Sequence, residues 1–196
     1  MDTEEADAGP ELEQALRDYL RRWPQEEASV ALFLELLGEG AEPFRRERLA
    51  GHFTSGVWLV SADGARVLMT HHRKLERWLQ LGGHADGDTD MARVALKEAQ
   101  EESGLPGLSV EGDSIFDLDR HWIPERKGVP GHWHYDVRYV VRAGSDENYV
   151  VGDESHDLAW RPIADLADDT DESLSRMARK WLLLPSPTGR RCPQGG

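Results

Sequence analysis

The stretch Gly82-Gly83-His84-Ala85-Asp86-Gly87-Asp88-Thr89-Asp90, continued by Met91-Ala92-Arg93-Val94-Ala95-Leu96-Lys97-Glu98-Ala99-Gln100-Glu101-Glu102-Ser103-Gly104-Leu105, is the most informative part of this 196-residue chain. Asp88 or Thr89 can cap a helix N-terminus by accepting a bond from a free backbone N–H. Gly104 ends the helix, where a left-handed residue costs glycine least, and Pro106 cannot continue it. The spacing therefore predicts a helix over 89–103. At steps of about 100° per residue, Ala92, Ala95, Leu96 and Ala99 share one arc, a buried face built mostly of small residues. Glu98, Glu101 and Glu102 fall in the adjoining arc, and Arg93, Lys97 and Gln100 in the third. Like charges at i, i+3 and i+4 weaken a helix. Three carboxylates at the edge of a buried face suit a solvated acidic surface. A hard-cation site is the functional alternative, because Mg2+ takes oxygen ligands, keeps several waters and is commonly completed by substrate phosphates. The helix alone does not decide between the two.

Working outward, residues 11–23 and 24–38 read as helices, the second with Pro24 in its first turn and Val30, Leu32, Phe33, Leu36 and Leu37 as its apolar stripe. A third short helix is expected over Pro43 to Ala50. Beyond Gly51 the period changes. Residues 54–60 and 65–70 are strand-like, and Asp63-Gly64 between them signals a hairpin. Strands are expected at 109–120, 132–142 and near Leu158 to Arg161, then a closing helix at about 172–184 before Pro185. Helices on both sides of one sheet make this an α/β (α+β) chain with a helical extension at its start.

Lys and Arg total 23 against 37 Asp and Glu, a formal net charge of −14. That balance argues against a nucleic-acid polymer as partner, because phosphate backbones reward clustered cations. It leaves room for a small phosphorylated substrate, whose charge a bound divalent ion would offset. The single cysteine, Cys192, excludes an intrachain disulfide and a cysteine-based zinc site. The acidic start is no signal peptide, and no apolar run approaches the ~20 residues of a membrane span. A cytoplasmic protein with no membrane partner is the expectation; a homodimer is left open.

From Gly83, five residues lead to Thr89, and seven more lead to Lys97-Glu98-Ala99-Gln100-Glu101-Glu102-Ser103-Gly104-Leu105. This closely resembles the Nudix hydrolase box, in which Gly, a Glu, then Arg-Glu-aliphatic-x-Glu-Glu-x-Gly-aliphatic recur at these spacings. Thr89 stands where the family has its first Glu, and Lys97 where it has Arg. Lysine can pair with Glu101 but lacks the planar fork that holds a carboxylate rigidly. The stretch from His71 to His84 looks like the lead-in of an actinobacterial Nudix branch, and Trp160-Arg161-Pro162-Ile163 resembles the family's closing strand.

The resemblance covers roughly residues 52–182. It implies a Nudix-type α/β/α sandwich with a mixed sheet over 51–186, a helical extension over 1–50, and a disordered tail over 187–196. It implies hydrolysis of the diphosphate linkage in a small nucleoside-diphosphate-type substrate by water attack at phosphorus. Glu98, Glu101 and Glu102, with the Gly82 carbonyl, would hold Mg2+ or Mn2+. Lys97 would align the carboxylates, and a general base would be supplied by Glu98, with Glu154 in reserve.

Outside the box, Arg73, Lys74 and Arg77 form the densest cationic stretch of the core and are candidates for a phosphate clamp. On 132–139, alternation puts His132, His134, Asp136 and Arg138 on one face, which suggests a wet cleft with substrate contacts. The His-x-His with an Asp could also bind a transition metal. Trp122, in a loop-like stretch, could stack on a nucleobase. Two alternatives stand beside hydrolysis. One is a catalytically silent nucleotide sensor; the other is an isopentenyl-diphosphate-isomerase-like enzyme, which Cys192 in the tail disfavours.

Overall fold

The computed structural model describes residues 9–73, 76–112, 114–126, 128–152 and 155–185. Its centre is β1 (Gly51–Val60), buried along its whole length. One edge of β1 pairs in parallel with β7 (His132–Arg142), from Gly51 opposite Trp133 to Val60 opposite Arg142. The other edge pairs antiparallel with β2 (Arg66–His72) through the Asp63-Gly64 hairpin and with β4 (Leu81–His84). Strand β2 also carries β3 (Arg77–Leu79) and β8 (Ser155–Pro162). Strands β5 (Ser109–Val110) and β6 (Asp117–Ile123) extend the sheet from β7. The sheet is mixed.

Alternation along β1 sends Phe53, Val57 and Leu59 to one layer and Trp58 and Val60 to the other. The first layer holds α1 (Pro10–Arg22), α2 (Glu27–Leu37) and α3 (Met91–Ser103). The second holds α4 (Ile163–Leu166) and α5 (Glu172–Leu183), whose Leu174, Met177 and Ala178 pack on Trp58, Val67 and Met69. Each fully buried side chain of that size stabilises the fold by roughly 1.5–3 kcal/mol. This is an α/β/α sandwich with a helical segment before the sheet.

The extension is part of the core. Phe33 meets Tyr135 edge-on at 5.4 Å and Phe53 at 6.3 Å. Arg22 donates to Ser114 Oγ and the Ile115 carbonyl, both at 2.8 Å. Lys180 of α5 reaches Glu26 at 2.6 Å and Asp117 at 2.7 Å.

Several local expectations need correction. The cap of α3 is Asp90, whose Oδ1 accepts from the Arg93 N–H at 2.9 Å; Asp88 instead accepts from the Asp90 N–H and pairs with the Arg93 guanidinium. The helix expected at 43–50 is one 3-10 turn, Glu42–Phe44, because Phe44 turns inward onto Phe53 at 4.9 Å. The second helix begins at Glu27, after a 3-10 turn at Pro24–Glu26. The strand expected over 109–120 breaks into β5 and β6. The Glu111 N–H bonds to the Val140 carbonyl and the Phe116 N–H to the Arg138 carbonyl, so residues five positions apart meet β7 at points only two residues apart. The tail over 187–196, Cys192 included, lies outside the described residues.

Candidate functional site

Helix α3 lies against β1 and β4, and the small buried Ala95 and Ala99 allow the close approach. Ser55 Oγ, 2.8 Å from the Met91 carbonyl and 3.2 Å from that of Val137, ties the start of α3 to the sheet. At the other end Gly104 takes φ +66°, and its N–H closes the helix onto Gln100.

Two of the three box carboxylates turn toward the glycine pair of β4. The Gly82 N–H donates to Glu102 Oε1 at 2.8 Å. Glu98 occupies the space that a side chain at Gly83 would fill: a Cβ there would lie 2.5 and 2.6 Å from its two carboxylate oxygens. The missing side chain at 83 is what leaves the Glu98 carboxylate this position. Glu101 is more than half exposed and lies 3.9 Å from Lys97 Nζ, itself as exposed, so their attraction is weak. The hard oxygen donors of Glu98, Glu101, Glu102 and the Gly82 carbonyl suit Mg2+ or Mn2+. Glu154, the reserve base, lies outside the described residues, as does Lys74.

The other candidates are placed elsewhere. Arg73 donates to the Ser155 carbonyl at 2.8 Å. Arg77 opens onto a groove of about 410 Å³ shared with Trp78, Arg161 and Leu174, beside α4 and α5 and away from α3. Trp122 lies in β6 and not in a loop; it is half exposed, 5.2 Å from Trp133, on the sheet face opposite His121.

The β7 face expected to line a wet cleft is covered over its second half. Arg138 is 2% exposed and bonded to Asp136 at 2.7 Å, Asp117 at 2.9 Å and Ser173 of α5 at 2.6 Å. Its charge is fully committed within the fold. Burial pushes the Asp117 carboxyl up, but Arg176, Arg138 and Lys180 outweigh it and hold it below the carboxylate range. Asp119 is likewise held low against the pull of burial, by His121, Arg138 and Arg176.

The first half of that face carries imidazoles. His52, opposite His134 in the β1–β7 register, joins His132, His134 and His84 at ring-centroid separations of 4.9–5.2 Å. His121 lies 5.4 Å from His134. Burial, then the charge of Arg46 and the neighbouring imidazoles, pulls His84 down to about 4. Burial, then His84 and His52, pulls His134 to about 2. His84 and His134 are therefore neutral at physiological pH. His52 Nε2 is buried without a hydrogen-bond partner, an arrangement that ordinarily costs about 1–3 kcal/mol. Among the described residues, His52, His132 and His134 are the one trio of potential metal ligands whose ligand atoms all lie within 4.8 Å of one another. Sequence reading found His132 and His134 through their spacing; His52, eighty residues away, carried no such signal.

The family model described as NUDIX domain matches residues 51–182. No curated protein matches the chain. Among solved structures, a NUDIX-family hydrolase from Clostridium perfringens is similar with a TM-score of 0.51 at 24% identity, over 68% of this chain and 98% of that one. A C. elegans Ap4A hydrolase in a binary complex gives 0.52 at 17% identity, over 66% and 94%. A Nudix hydrolase from M. smegmatis, RenU, gives 0.51 at 22% identity, over 69% and 89%. At these identities the likeness is one of fold.

Proposed function

The chain belongs to the Nudix family of hydrolases, and on that premise we propose that it cleaves the diphosphate linkage of a small nucleoside-diphosphate-type substrate, with Mg2+ or Mn2+ as cofactor, in the cytoplasm. The observation that carries this reading is the placement of Glu98 and Glu102 against Gly82-Gly83, at the mouth of the loop that opens α3.

In this reading Glu98, Glu101, Glu102 and the Gly82 carbonyl hold the divalent ion. When bound there, it would offset charge on the bridging phosphates and make water a better nucleophile. The carboxylate of Glu98 takes the proton of the attacking water, and its lodging against Gly83 fixes where that proton is received. Glu102, anchored by the Gly82 N–H, keeps one oxygen oriented. Lys97 draws Glu101 toward its own turn of the helix, loosely, because a point charge sets distance and not plane. Arg73, bonded to the Ser155 carbonyl, and Arg77, at the groove beside α4 and α5, are the described candidates to meet a substrate phosphate.

The test is phosphate release from a panel of nucleoside diphosphate compounds with Mg2+ or Mn2+. Turnover should depend on the ion. Glu101→Gln or Glu102→Gln should lower it by well over tenfold, because each removes a ligand whose contribution is realised in the transition state. Either variant retaining turnover within a factor of ~10 would refute the mechanism.

A further inference from the structure

We propose that His52, His132 and His134 form a binding site for a transition-metal ion, zinc first, distinct from the carboxylate cluster of α3. The two sites lie on opposite faces of the sheet. By alternation His52 lies on the same sheet face as Trp58 and Val60, the face that α4 and α5 cover farther along β1, whereas Gly83 faces α3.

The hydrogen bonds around the rings prepare the nitrogens. His52 Nδ1 donates to the Arg48 carbonyl at 3.2 Å, and His132 Nδ1 donates to the Pro130 carbonyl at 2.8 Å. Each bond places the ring proton on Nδ1 and leaves a lone pair on Nε2. A backbone carbonyl in this role is the usual outer partner of a metal-ligating histidine, fixing tautomer and ring plane together. The lone pair of His52 is buried and meets no donor. His132 Nε2 and His134 Nε2 are 3.2 Å apart. Two nitrogens on a tetrahedral ion at 2.0–2.1 Å are about 3.3 Å apart, so this edge is already formed. The remaining edges lie within 4.8 Å and would have to shorten when the ion binds.

One ring proton is shared across the His132–His134 contact; binding an ion there moves the His134 proton from Nε2 to Nδ1, so three neutral imidazoles supply the ligands with no net proton release. Three imidazoles leave a fourth position for water or an anionic ligand, the arrangement of an open zinc site. Imidazole favours Zn2+ and its neighbours over Mg2+, and carboxylate the reverse, so ligand chemistry sorts the two kinds of ion.

The test uses the full chain stripped with chelator, then titrated with Zn2+ or Co2+ while Mg2+ is held in excess. One equivalent should bind and, for Co2+, show the intense visible bands of a low-coordinate centre. His52→Asn and His134→Asn should each weaken binding at least tenfold, whereas Glu101→Gln should leave it unchanged. Long-range 1H–15N correlation of the unmutated protein should show Zn2+, and not Mg2+, shifting the ring nitrogens of these three histidines. Uptake well below one equivalent, unshifted ring nitrogens, or binding that survives both histidine substitutions would overturn the proposal. None of Glu98, Glu101 and Glu102 takes part, so a negative result leaves the hydrolase reading standing.

Discussion

A single methyl group added at Gly83 separates the role of Glu98 from the stability of the fold. Built on the existing backbone, the alanine Cβ would lie 2.5 and 2.6 Å from the Glu98 carboxylate oxygens. Ordinary contact needs about 3.5 Å, so the carboxylate must move by about 1 Å. It is the far end of a flexible side chain and can do so at little cost to folding. A reacting group displaced by about 1 Å loses on the order of 10²-fold in rate, or about 2.7 kcal/mol of barrier. Gly82→Ala is the contrast. Gly82 sits at φ +147°, and its added Cβ would lie 2.5 Å from the Ser55 carbonyl oxygen and 2.9 Å from Gly56 Cα. Backbone cannot swing aside, and overpacking with strain costs about 3 kcal/mol or more, which lowers Tm by roughly 6–12 °C. Calorimetry and turnover on the best substrate of the panel measure both effects. Gly83→Ala should melt within about 2 °C of the parent yet turn over about 100-fold more slowly. The reasoning is refuted if Gly83→Ala keeps turnover within about threefold, or if it melts as early as Gly82→Ala.

Asp117, fully buried among Arg138, Arg176 and Lys180, should cost about 3–5 kcal/mol in urea unfolding when changed to Asn, because three cations lose their counter-charge. With Asp117 and Asp119 held below the carboxylate range, their contribution to stability is complete above the unfolded value of about 4 and lost as pH falls below it. A melting series from neutral to acid should therefore fall less steeply in Asp119→Asn. Lys97→Ala should leave unfolding free energy within about 0.5 kcal/mol, since the ion pair is exposed, while Lys97→Arg, with its planar fork, should raise turnover about two- to threefold. Phe33→Ala should cost about 3–5 kcal/mol in thermal unfolding; a negligible effect would show the extension to be dispensable.

Helix α3 was legible in the sequence because its signals are local: alanines on one arc, carboxylates on the next, and a glycine followed by proline at its end. Its cap was not, because Asp88, Thr89 and Asp90 are all competent and only the path of the chain put Asp90 within reach of Arg93. The break between β5 and β6 was hidden for a related reason. A run that alternates suitably does not reveal that its two ends bond to different parts of β7. Arg138 shows the limit most clearly. Alternation placed it on the right face of its strand, but a polar face reads the same whether water or a helix covers it.

By itself, then, the chain's order of residues determined the composition of each helix and strand face and the spacing of the carboxylates, since these depend on periods of a few residues. Only the tertiary structure decided that Glu98 lodges against Gly83, that α5 covers Arg138, and that His52 meets His132 and His134. Each of those pairings spans strands or layers brought together by parallel register and core packing, and no local spacing encodes which distant residues will share a face at the same height.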